Sequence, residues 1–176
     1  GVVLSAADDK DAAACYHSAI EALKVYDRAE TVFREATALH PHHKQLIYYF
    51  IDVLLKLEKY QSAMECIKLA IARCGGEDGI LDAALAICPK VDPKTIKPCV
   101  NKQATLSLCM ITKNEEAHLA RCLLSADAIV DEIVVIDTGS TDRTRDIATV
   151  FGARVSEFEW SNDFSAARNV SLAKAS

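Results

Sequence analysis

Three clusters in the second half of the chain combine residue types and spacings that site chemistry uses. The first is Asp137-Thr-Gly-Ser-Thr-Asp142, which directly follows the aliphatic run Ile133-Val-Val-Ile136. Apolar residues at four successive positions predict a strand buried on both faces, as in a parallel sheet. Asp137 then stands at the carboxyl end of that strand, where open α/β sheets bind their ligands. Its carboxylate can accept from the N–H of a nucleobase or from ribose hydroxyls, or it can simply hydrogen-bond the following turn. Gly139 suits the tight turn, Ser140 or Thr141 is expected to cap the next helix, and Asp142 falls in that helix's first turn. The second cluster is Ile111-Thr-Lys-Asn-Glu-Glu116, in which Lys113 can meet a phosphate as a point charge. The same residues also read as a helix start, with Asn114 as the cap and two acids after it. The third is Asp163-Phe-Ser-Ala-Ala-Arg-Asn169. Asp163 can cap a helix, and the Arg168 guanidinium can neutralise a diphosphate, hold a carboxylate or form a surface ion pair.

The elements that must position these clusters can be read from hydrophobic periodicity. Residues 105–111 predict a strand, 112–116 a polar turn, and 117–126 a helix with Leu119, Cys122, Leu123 and Ala126 on one face. Residues 153–160 predict a further strand, with Phe158 and Trp160 packing it against helices. The following helix carries Phe164, Ala167, Ser171 and Leu172 along one side. Alternating strands and helices predict an α/β unit with a parallel sheet. The first strand-to-helix turn lacks Gly-x-Gly-x-x-Gly, which argues against a dinucleotide-binding domain. No Gly-x-x-x-x-Gly-Lys-Ser/Thr is present either.

Ser107-Leu-Cys-Met-Ile-Thr-Lys-Asn-Glu-Glu116, Val130-Asp-Glu-Ile-Val-Val-Ile-Asp-Thr-Gly-Ser-Thr-Asp-Arg-Thr144 and Asp163-Phe-Ser-Ala-Ala-Arg-Asn169 occur in this order. Together they resemble the opening of family-2 glycosyltransferases. The resemblance covers residues 105–176 and implies the nucleotide-binding first half of a GT-A (Rossmann-like) domain, here incomplete. It implies that Ile111, Lys113 and Glu115 line a base and ribose pocket, that Asp137 contacts the base, and that Arg168 stands near the substrate cleft. The implied donor is a nucleotide-diphosphate sugar, uridine-linked in most such relatives. The sequence departs from the common pattern at Ile111, where relatives often have proline, at Lys113 (often tyrosine) and at Thr138 (often a second acid). The family's Asp-x-Asp, which holds a divalent Mn or Mg ion, and the carboxylate base of inverting members are expected beyond Ser176. The cation is therefore expected only in the full-length protein, and this chain alone is expected to be inactive. Asp9-Lys-Asp11 lies in the helical part, the wrong context for that motif.

Residues 10–87 read as helical throughout. Leu23, Tyr26, Ala29, Phe33 and Ala36 recur as Leu57, Tyr60, Ala63, Ile67 and Ala70, each pair 34 positions apart. That period and pattern resemble tetratricopeptide repeats. Pro41 follows the first unit and Gly75-Gly76 closes the second, whereas His17 and Ile51 replace the small residue usual in the first helix. A third unit starts near Asp78 with one helix only, and an unfinished solenoid is expected to lean on something else, either missing N-terminal repeats or the α/β part. The expected organisation is helical repeats over residues 1–87, a Pro/Lys-rich linker over 88–104 and the α/β part over 105–176. In this reading the repeats recruit a protein or peptide acceptor or partner, and the α/β part binds the sugar nucleotide. The alternative is a non-catalytic interaction module with an α/β scaffold.

The chain has 176 residues, 51% of them hydrophobic and 26% charged, which suits a packed protein. A net charge of −5 argues against nucleic acid as a partner. No apolar run is long enough to cross a bilayer and no signal peptide is visible, so a cytoplasmic location is expected, although the chain begins without Met and reads as part of something longer. Seven cysteines with no Cys-x-x-Cys are expected to be buried free thiols. His40-Pro-His-His43 reads as a solvated turn, since structural zinc wants four ligands. An incomplete sheet leaves an edge open, through which a homodimer is expected to form.

Overall fold

The structure is a computed structural model and describes residues 17, 18, 20, 25–76, 78–91 and 106–175. Its elements in chain order are α1 (Tyr26–Leu39), α2 (Lys44–Lys56), α3 (Tyr60–Cys74), α4 (Asp78–Ile87), β1 (Ser107–Thr112), α5 (Leu119–Ala126), β2 (Glu132–Asp137), α6 (Thr144–Val150), β3 (Arg154–Glu157) and α7 (Phe164–Ala173). Helices thus precede a parallel three-stranded sheet with helices, the fold class expected from sequence. Two compact units divide at Ala70 and Ile71, inside α3.

In the first unit, the residues 34 apart occupy equivalent places. Ala29 and Ala63, Phe33 and Ile67, and Ala36 and Ala70 are all buried. Small residues at one position let helices approach closely, and the large ones three or four residues later fill the seam. Leu23, the first residue of that pattern, lies outside the described residues. His17, which departs from the repeat pattern, stacks on Tyr49 with ring centroids 4.5 Å apart and places Nε2 2.9 Å from Asp52 Oδ2. Pro41 lies in the turn between α1 and α2. His43 is the N-cap of α2, its Nδ1 accepting from the Leu46 N–H at 3.3 Å. Of the histidine cluster, His43 therefore serves a helix end. Glu30 receives hydrogen bonds from Lys59 and Arg34. The Lys59 bond is the main influence on its carboxyl, partly opposed by burial and reinforced by Arg34, and the pKa falls below the ordinary value.

In the second unit the strand order is β1-β2-β3, parallel throughout. Residues 133–136 are buried on both faces of the central strand β2, as the aliphatic run predicts. α5 and α6 touch each other, α6 packs on β3, and α7 packs on β1 and β2. The single helix of the unfinished third repeat, α4, packs on α6, and Arg143 reaches from the start of α6 to Asp82 at 2.8 Å. Gly75, with φ of 90°, ends α3 in a left-handed conformation that other residues adopt at a cost.

Several local expectations change. α5 begins at Leu119, buries Ala120 with Leu119 and Leu123, and leaves Cys122 exposed. On α7 the buried residues are Ala167 and Ser171, whereas Phe164 and Leu172 are 71% and 57% exposed. Small side chains let α7 settle on β1, where the Cys109 thiol lies 3.7 Å from the Ser171 carbonyl oxygen. β3 ends at Glu157, so Trp160 lies beyond the strand and packs edge-on against Phe164 at 4.6 Å. None of the described cysteines is buried: Cys66, Cys74, Cys88 and Cys109 are half-buried and Cys122 is exposed. Cys15, Cys99, Asp9, Asp11 and most of the expected linker lie outside the described residues. Pro89 and Lys90 belong to a short 3-10 turn, Cys88–Lys90. Among the described residues, no helix is long and apolar enough to cross a membrane.

Candidate functional site

Asp137 closes β2 and pairs in register with Thr112, the last residue of β1. It is 1% exposed. One carboxylate oxygen, Oδ2, accepts the Gly139 N–H at 3.1 Å and the Ser140 N–H at 2.9 Å. Gly139, with φ of 95°, makes the turn that brings both N–H groups round to it. The other oxygen, Oδ1, is buried and has no partner in the protein. Both readings of this residue meet here: one oxygen fixes the turn, and the second is held in place with its accepting capacity unused. Beside it, Thr138 donates its N–H and its hydroxyl to the Thr112 carbonyl at 2.9 and 3.0 Å, locking the two strand ends together.

The loops beyond the strand ends are joined by reciprocal bonds. The Asn114 N–H donates to Ser140 Oγ at 2.9 Å, and Asn114 Oδ1 accepts the Thr141 N–H at 2.8 Å. The Glu115 N–H donates to Thr144 Oγ1 at 2.7 Å, and the Glu116 N–H donates to Asp142 Oδ2 at 3.2 Å. Glu116 Oε2 in turn accepts the Arg143 N–H at 3.0 Å. These bonds correct three sequence expectations. Ser140 and Thr141 do not cap α6, which begins at Thr144, and Asn114 does not cap α5. Their polar atoms are spent across the gap between loops, because neighbouring parallel strands bring the two loops side by side. Asp142 precedes the helix and accepts both the Thr144 N–H and the Thr144 hydroxyl. Burial alone would raise its pKa, but the bonds from the Thr144 hydroxyl, the Thr144 N–H and the Glu116 N–H outweigh it and hold the carboxyl below its ordinary value.

The other expected site residues surround this frame at different distances along the strands. Ile111 is half-buried in β1 one position before Thr112, while Lys113 and Glu115 are exposed on the adjoining loop. Arg168 is exposed on α7, where Nη1 donates to the Cys109 carbonyl at 3.0 Å. That contact sits three residues upstream of the strand end at Thr112. Asp163 caps α7 as expected, accepting the Ala166 N–H at 3.0 Å. Sequence reasoning missed the in-register partner Thr112, whose hydroxyl is also buried and unpartnered. The available signal was a hydroxyl at the last position of an apolar strand. Among the described residues no three His, Cys, Asp or Glu side chains converge to hold a metal ion. The arrangement therefore offers a rigidly held carboxylate oxygen that can accept a hydrogen bond from a ligand's donor.

Residues 107–176 match the family described as Glycosyl transferase family 2. A TPR repeat-containing protein of Synechococcus elongatus is 53% identical over 72 residues, which are 41% of this chain and 18% of that protein. An uncharacterized glycosyltransferase of Rickettsia typhi is 47% identical over 55 residues, 31% of this chain and 19% of its own length. A similar protein of Rickettsia conorii is 43% identical over 63 residues, 35% and 22% of the two chains. The chain thus spans about a fifth of the length of these relatives. No solved structure matches.

Proposed function

We propose that the family 2 glycosyltransferase segment, residues 107–176, holds the nucleotide of a nucleotide-diphosphate sugar at the carboxyl ends of β1 and β2. The observation that carries this reading is the buried, unpartnered Oδ1 of Asp137, fixed by the two N–H bonds to its sister oxygen. A carboxylate oxygen in that condition is a ready acceptor for the ring N–H of a base, and uridine is the nucleoside we assign to it. In this reading Ile111 and Glu115 border the base and ribose, Lys113 meets a phosphate, and Arg168 leaves its bond to the Cys109 carbonyl to meet the diphosphate. In the transfer itself an acceptor hydroxyl attacks the anomeric carbon. The bond from that carbon to the diphosphate oxygen breaks, the nucleoside diphosphate leaves with the bonding electrons, and the hydroxyl proton passes to a base. We assign only the binding of the nucleotide to the residues described above. The repeat-like helices within residues 1–87 serve to hold a protein or peptide acceptor, with residues 88–104 as the connection to the α/β part.

The test is calorimetric titration of the protein with uridine diphosphate, repeated on Asp137→Asn. Asparagine can keep its oxygen toward Gly139 and Ser140, but it then presents an amide N–H₂ where Oδ1 stood. A donor facing a donor should cost about 1.5–3 kcal/mol, or about ten- to a hundredfold in affinity, with little change in melting temperature. Equal affinity of parent and variant, or no binding by the parent at millimolar nucleotide, overturns the reading.

A further inference from the structure

The end of β1 carries a second polar atom that the protein leaves unanswered. Thr112 is 4% exposed and its Oγ1 has no hydrogen-bond partner. Its in-register neighbour across the sheet is Asp137. Partners in parallel register put their side chains on the same face, with the strands about 4.8 Å apart. Two buried, unsatisfied oxygens of different kinds therefore lie side by side at the carboxyl end of the sheet. The Thr112 backbone cannot turn away to relieve this, because its carbonyl accepts both the N–H and the hydroxyl of Thr138.

A buried hydroxyl without a partner is costly to a folded protein. Valine would fill the same volume without that cost, and the neighbouring positions Ile111, Val135 and Ile136 are all aliphatic. The two atoms also differ in what they can do. The carboxylate only accepts, whereas the hydroxyl donates and accepts. Together they complement a ligand edge that presents an N–H beside a carbonyl oxygen, as the imide edge of uracil does. We propose that Thr112 is a second base-contacting residue, donating its hydroxyl to the carbonyl that flanks the N–H accepted by Asp137. This rests on the reading that the strand ends hold the base of the nucleotide.

The hydroxyl's two states make opposite demands, and that separates a binding role from a structural one. In the free protein the hydroxyl is a liability, so Thr112→Val should leave the melting temperature unchanged or raise it. In the complex the hydroxyl is used, so the same variant should bind uridine diphosphate about three- to tenfold more weakly, the range of one neutral hydrogen bond. Thr112→Ser, which keeps the hydroxyl, should bind within about twofold of the parent by the same reasoning. Calorimetric titration and thermal melts of the three proteins read both quantities. Unchanged affinity in Thr112→Val, with the parent binding normally, overturns the role of Thr112 and leaves the nucleotide site standing. Weaker binding accompanied by a fall of several degrees in melting temperature makes the hydroxyl structural and also overturns it. Failure of the parent itself to bind uridine diphosphate removes the nucleotide reading and this inference with it.

Discussion

Asn114 is the residue on which the joining of the two loops can be tested most directly. Its φ of 54° places it in the left-handed region, and its side-chain oxygen accepts the Thr141 N–H at 2.8 Å. Asn114→Ala keeps the backbone N–H bond to Ser140 but loses the side-chain acceptor. It also leaves a residue with no local hydrogen bonding in a conformation that costs L-residues roughly 1–2 kcal/mol. The lost hydrogen bond adds about 0.5–1.5 kcal/mol, at the lower end because Asn114 is exposed. Alanine should therefore destabilise the protein by about 1.5–2.5 kcal/mol. Glycine enters the left-handed region freely, so Asn114→Gly should lose only the hydrogen-bond part, about 0.5–1 kcal/mol, and rank between parent and alanine. Urea unfolding followed by circular dichroism and by the fluorescence of Trp160, the one tryptophan in the sequence, measures both. Alanine and glycine equally destabilised would show that the left-handed backbone is not what selects asparagine. Glycine less stable than alanine would refute the conformational argument outright, and two variants as stable as the parent would show that the cross-loop bonds contribute nothing.

The acid limb of stability should carry the signature of Asp142. Its folded pKa lies below the ordinary 3.8, so its contribution is complete above that value and disappears as pH falls through the folded pKa. Glu30 acts with the same sign from its ordinary 4.5 downward. Urea midpoints measured from pH 6 down to about pH 3 should drop less steeply in Asp142→Asn than in the parent, and identical slopes would refute the assignment. In the repeat-like unit, Ala63 is fully buried, so Ala63→Leu overpacks the helix seam and should cost about 1–3 kcal/mol in a thermal melt; an unchanged melting temperature would mean that the seam has room.

The readings that came through intact rest on patterns repeated along the chain. Ile133, Val134, Val135 and Ile136 in succession require cover on both faces, and helices packed against the sheet give it, while β1 and β3 pair along its edges. The 34-residue recurrence from Ala29 to Ala36 into Ala63 to Ala70 marked equivalent buried positions, since a helix seam demands the same sizes in the same order each time. Asp163 declared its own role, because an N-cap bonds a backbone group only three residues away. Readings that depended on which face of a short helix is buried fared worse. Over the ten residues of α7, Phe164 and Leu172 were as consistent with the core as Ala167 and Ser171 were, and close approach to β1 selected the small pair.

What the sequence by itself determined was the order of strands and helices, the repeat-like helices before them, and the placing of Asp137 at a strand end. Each is written in local periodicity or in bonds spanning a few residues. Only the tertiary structure decided what the polar side chains do. Ser140, Thr141 and Asn114 each had an acceptable local partner as helix caps, and they bond instead to residues 26 or 27 positions away. Thr112 gained its meaning only when strand register set it beside Asp137. A hydroxyl or amide can satisfy itself in many ways within a few residues. Which way it takes depends on what the fold carries to within 3 Å of it, and a one-dimensional pattern does not contain that distance.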